Sequence, residues 1–193
     1  MKWIAVLAGL AALIASHAQA QGQARTDLGE RARRAAVHPV SDARSLRLWL
    51  SRVPVTRSFP ADFAATLRGQ SGLYIVEMTT EGGCVPCGDL WAKLDTLRLR
   101  YGWPVRTLSG EEALLRSGRL GLPWVGHPVA WVRPATDPDR IIPVAIGTDH
   151  APNLARNLYL AAKMLTGVRP AVGVRAMSKF TGIVAPMPIS PKR

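Results

Sequence analysis

Two cysteines stand three positions apart in Cys84-Val85-Pro86-Cys87, and the chain has no others. A continuous apolar, β-prone run at residues 73–78 ends just before them. A stretch with helical spacing then opens on them, at Cys87, Leu90, Trp91, Leu94, Leu97 and Tyr101. Cys84 is therefore expected at a helix N-terminus, where unsatisfied N–H groups and the helix dipole favour a thiolate. The thiolate is the form that attacks disulfides. Cys87, one turn deeper, is spaced to attack the mixed disulfide that Cys84 would form. Pro86 falls in the first helical turn, where its missing N–H costs nothing.

Two plainer uses of the pair compete with this one. A disulfide closing a four-residue loop removes only roughly 1.9 kcal/mol of unfolded-state freedom, against about 4.7 kcal/mol for a 100-residue loop. A structural staple would be poorly placed here. A metal site would need two more ligands from His38, His127 and His150, whose spacing matches no finger or ribbon. The redox reading is the preferred one, and no cofactor or metal is expected.

The elements that must position the pair follow from pattern and punctuation. Gly102 ends the Cys helix, and residues 104–108 suit a short strand. Ser109 with Glu111 and Glu112 starts a helix through residue 117. Residues 129–132 and 141–146 read as an antiparallel hairpin around Asp137-Pro138-Asp139. Residues 153–165 form the last helix, ended by Gly167. The first strand–helix–strand unit forces a parallel pair. The fold class expected is α/β, a central mixed sheet flanked by helices.

At this point the chain resembles the thioredoxin superfamily. The resemblance is carried by the strand at 73–78, the Cys84-Val85-Pro86-Cys87 motif opening a helix, and Gly126-His127-Pro128-Val129 leading into a later strand. It covers about residues 59–167, and implies a thioredoxin-like fold with a cis Pro128 facing the Cys pair. It also implies that the Pro128 loop holds a substrate strand by backbone pairing. By that resemblance Cys84 is the nucleophile and Cys87 the resolving thiol. His127, beside Pro128, becomes a candidate for a cationic imidazole near the thiolate. Trp124 and Trp131 flank this loop, the first as a candidate substrate rim and the second as core.

The chain also departs from the family. Gly83 stands where an aromatic residue usually precedes the first Cys. Met78 takes the spacing of the buried strand Asp of thioredoxins. Glu77, one residue off, is the candidate proton acceptor for Cys87, although its position points to the other face. The Val85-Pro86 dipeptide is similar to that of membrane-associated reducing members of the cytochrome-maturation type. Small disulfide-handling proteins of conjugation and secretion systems share the same build with basic, Pro-rich extensions.

The rest of the chain bears on location and partners. Lys2, a 13-residue apolar run at residues 3–15, and Ala18-Gln19-Ala20 read as a signal peptide, residues 1–20. The run is short of the roughly 20 residues a membrane span needs, so an uncleaved anchor is the lesser alternative. The compartment expected is the periplasm, where a Cys pair can be oxidised. Residues 21–58 form an Arg-rich extension with helices expected at 26–36 and about 42–53, and a third helical piece at 59–67 follows. Residues 168–193 read as a Pro-rich basic tail, and 59–167 as the domain proper. The chain carries a formal charge of +12. Its Arg residues are dispersed and no recognition motif accompanies them, which disfavours nucleic acid. Expected partners are protein disulfide or dithiol substrates, a membrane redox partner and an anionic membrane surface. The function expected is periplasmic thiol–disulfide exchange. The alternative is a non-catalytic thioredoxin-like binding component of an envelope, conjugation or secretion assembly.

Overall fold

The computed structural model describes residues 37–120, 126–167 and 177–186. The signal-like segment 1–20, the helix expected at 26–36, Trp124 and the tail apart from 177–186 lie outside the described residues. In chain order the elements are β1 (His38–Pro39), α1 (Ala43–Leu50), α2 (Phe63–Gly69), β2 (Tyr74–Thr79), α3 (Val85–Tyr101) and β3 (Val105–Leu108). They continue with α4 (Gly110–Leu120), β4 (Val129–Pro134), β5 (Ile142–Ile146), α5 (Ala151–Leu165) and β6 (Ile183–Val184). No helix among the described residues is long and apolar enough to cross a membrane.

The main sheet runs β3-β2-β4-β5. β2 and β3 are parallel, as the intervening helix requires, while β4 is antiparallel to both β2 and β5. The chain is thus α/β with a mixed sheet, compatible with a thioredoxin-like fold. The period-2 alternation of β2 divides its two faces. Tyr74, Val76 and Met78 join the core built with Leu90, Leu94 and Leu97 of α3 and with Leu154, Leu158 and Ala162 of α5. Trp103 locks α2 to this core, its indole N–H donating to Leu67 O at 2.7 Å.

Local chemistry sets the helix ends. Asp42 caps α1, its carboxylate accepting the N–H groups of Arg44 and Ser45 at 2.9 Å. Gly102 closes α3 at φ 80°, a left-handed turn that glycine adopts without strain. Ser109 Oγ accepts the Glu112 N–H at the start of α4. The piece expected at 59–67 starts later, at Phe63, because Pro60 spends its carbonyl on a turn to Phe63 N.

The packing extends beyond the domain bounds expected at 59 and 167. β1 and β6 pair in parallel as a separate two-stranded ribbon. β6 is also bonded on its other side, Gly182 N to Ile146 O and Thr148 N to Ile183 O. Val40, Leu46 and Ile183 form a second buried cluster, with Trp49, Leu50, Val53 and Val85 packed against it. Asn153 reaches from α5 to the N–H of Thr56 and the carbonyl of Pro54. The compact unit therefore starts at Val37, and it includes parts of both segments read as extensions. The Leu46 face that the sequence offered as one side of a peripheral helix is part of the body's own packing.

Candidate active site at the Cys84–Cys87 pair

Cys84 is the N-cap of α3, in extended conformation, and Cys87 lies one turn in. The pair is joined as a disulfide, with the two Cα atoms 5.2 Å apart. Cys84 Sγ accepts the N–H of Cys87 at 3.1 Å, while Cys84 O accepts from Gly88 N at 3.2 Å. The sulfur of Cys84 thus sits among the orphan N–H groups of the helix start, where a thiolate is favoured by hydrogen bonding and by the dipole. Cys84 keeps 9% of its surface and Cys87 only 3%. The outer sulfur is the one a partner reaches first.

Cys84 borders an open cleft of about 460 Å³. Met78 forms part of its wall, Val85 and Trp91 contribute apolar surface, and Thr80, Glu81 and Thr107 contribute polar groups. Trp91, read from its spacing as an inner-face residue, is 39% exposed instead. It follows Cys87 by four positions, so it rises on the same side of the helix as the pair. That spacing could have flagged it, but the same spacing also marks core.

The loop before β4 also meets Cys84. The His127–Pro128 bond is cis. His127 O is 3.9 Å from Cys84 Sγ, so the backbone of His127 faces the sulfur. His127 is 7% exposed, and burial pushes its pKa below the ordinary value, partly opposed by the charge of Glu81. Burial thus works against the cationic imidazole expected beside the pair.

Glu77 is not brought to the pair. Its carboxylate is fully buried on the face of β2 away from Met78. There it accepts from Trp131 Nε1 and Arg133 Nε, both at 2.8 Å, and pairs with Arg116 of α4. A carboxylate held by two guanidinium groups and an indole is committed to structure, and the proton-acceptor role for Cys87 is withdrawn. Trp131 is buried, as its core reading required. Glu81 remains as an exposed acid on the cleft.

The other histidines serve elsewhere. His38 stacks on Trp49 with ring centroids 3.9 Å apart, and a ring nitrogen of His150 bonds Leu50 O at 2.9 Å. Among the described residues no group of three or more His, Cys, Asp and Glu side chains gathers as a metal site. A second feature escaped sequence reasoning altogether: the Ala185 N–H donates to His127 O at 2.7 Å. A main-chain bond of this kind leaves no trace in side-chain pattern.

A scan against protein-family models finds no match, and neither do searches of the curated proteins and of the solved structures. The functional reading therefore rests on the α/β fold with its mixed sheet and on the close Cys84–Cys87 pair.

Proposed function

We propose that the protein is a thioredoxin-like thiol–disulfide oxidoreductase that acts on protein substrates in the periplasm. The observation that carries the reading is the placement of Cys84 Sγ. It accepts a helix N-terminal N–H and borders an open cleft, with the Cys87 sulfur bonded behind it. In the reducing direction the Cys84 thiolate attacks a substrate disulfide. A mixed disulfide forms and one substrate sulfur leaves as a thiolate. The Cys87 thiolate then attacks Cys84 Sγ, releasing the second substrate thiolate and leaving the pair oxidised. Two electrons pass to the substrate, and the oxidising direction reverses each step. The periplasmic assignment is supported by the pattern of residues 1–20, and regeneration of the pair calls for a redox partner in the membrane.

One further observation favours the binding-component reading. A second, largely apolar groove of about 450 Å³ is lined by Trp49, Val53, Val55 and Phe180, with Arg52, Arg156 and Lys179 around it. A surface of this kind suits an acidic partner. Reduction potential separates the two readings: structural disulfides lie below about −300 mV, exchange-active ones above. The decisive experiment is capture with Cys87→Ala. Covalent, reductant-sensitive adducts on Cys84 support exchange. A potential below that limit together with no adducts would refute it.

A further inference from the structure

The main-chain acceptor beside the outer cysteine is His127 O, 3.9 Å from Cys84 Sγ. An extended polypeptide delivering a cysteine to Cys84 would ordinarily add itself to such a free backbone group as an extra strand. In this chain Ala185 already donates its N–H to that carbonyl at 2.7 Å. The donor segment is not a loose end. Val40 N bonds Val184 O at 2.8 Å, Thr148 N bonds Ile183 O at 3.1 Å, and Ile183 is 1% exposed. A Cβ on Gly147 would lie 2.3 Å from Ile183 N, so β6 runs hard against that glycine.

Cys84 also borders the open cleft. Gly88 sits on the first turn of α3, and a Cβ there would meet no atom within 4 Å. Beyond it Trp91 presents a half-exposed indole, and Val85 adds apolar surface. Among the described residues lining this cleft, Glu81 is the one charged side chain.

We infer that the site recognises its substrate mainly by side chain, since the main-chain acceptor beside Cys84 is already engaged by Ala185. The substrate class is a polypeptide disulfide whose cysteine carries an apolar or aromatic neighbour, and Trp91 is the specificity-determining residue. The flanking side chain lies on Trp91 while its cysteine sulfur meets Cys84 Sγ. The acid at Glu81 disfavours acidic flanks. This rests on the exchange reading above, and the bond changes are those already written.

The test uses the full chain, reduced, against four probes. One is hydroxyethyl disulfide. The others are short peptides bearing a single cysteine as a thionitrobenzoate mixed disulfide, flanked by Phe, by Gly, or by Phe with its neighbouring amides N-methylated. Aromatic contacts of this kind give rate ratios of roughly three- to tenfold, so the Phe peptide is expected to outpace the Gly peptide by about that factor. N-methylation, which removes the pairing N–H groups, is expected to change the rate by less than about twofold, since little main-chain bonding is used. In Trp91→Ala the Phe-to-Gly ratio falls to about one. Gly88→Phe fills the cleft where nothing obstructs it, and lowers the ratio of Phe-peptide to hydroxyethyl disulfide rates. Equal Phe and Gly rates, or loss of reaction on N-methylation, overturn the inference while leaving exchange intact. Failure of hydroxyethyl disulfide to react overturns the exchange reading and this one with it.

Discussion

Arg133 and Glu77 meet on neighbouring strands, with Arg133 Nε donating to Glu77 Oε1 at 2.8 Å inside the protein. Glu77 is fully buried and Arg133 is 7% exposed. Arg116 and the Trp131 indole complete the cage. The carboxylate neutralises charges that the interior could not otherwise hold.

Glu77→Ala is therefore expected to destabilise the protein by about 3–5 kcal/mol, because it strands a buried guanidinium. Chemical denaturation of wild type and variant checks this. Whatever folded protein remains is expected to keep the pH profile of disulfide exchange, since the carboxylate is not beside the pair. An altered profile would return Glu77 to the chemistry.

Cys84 is expected to alkylate before Cys87 in the reduced protein, and to titrate below the free-thiol value of about 8.5. Its N-cap position and its bond from the Cys87 N–H both favour the thiolate. Alkylation rates across a pH series, with peptide mapping, decide it. Faster modification of Cys87 at neutral pH would reverse the two roles.

A chain begun at residue 59 is expected to fail as an independent fold. It lacks Val40 and Leu46 against Ile183, and it leaves Asn153 without the Thr56 N–H and the Pro54 carbonyl. Asn153 is 2% exposed, so its amide would be stranded, at a cost of about 1–3 kcal/mol for each unmet group. Circular dichroism and thermal melts of the shortened chain measure the effect. Native-like melting would restore the boundary at 59.

The parts of the fold legible in the sequence were those written in local pattern. The buried run of β2, the Cys84 cap, Gly102 and the β4–β5 hairpin each announce themselves within one short stretch of chain. β1 and β6 do not. Each is two residues long, and the register joins His38 to Ile183 through backbone groups alone. At the site, the Cys pair and the Pro128 loop were legible from type and order. The Ala185–His127 bond was not, because any residue but proline donates the same N–H. Trp91 was misplaced for a different reason: helical spacing alone does not distinguish the end of a core stripe from the wall of a cleft.

Acid is expected to destabilise the protein through His127. Burial holds its folded-state pKa below the ordinary value of about 6.5, against a smaller opposing effect of Glu81. As pH falls through about 6.5 the unfolded chain takes up a proton that the folded chain still refuses. Stability is thus full above that value and drains as pH descends toward the folded-state value. Asp149 acts with the opposite sign at lower pH. Burial raises its carboxyl above 3.8, so the folded chain binds that proton first and regains stability as pH falls through the raised value. Denaturation midpoints from pH 8 to pH 5 test the first effect, compared with His127→Asn, which cannot titrate. The wild-type midpoint is expected to fall more steeply than that of the variant below about pH 6.5. Parallel curves would show that folding does not shift the imidazole, and would return it to the list of groups able to stabilise the Cys84 thiolate.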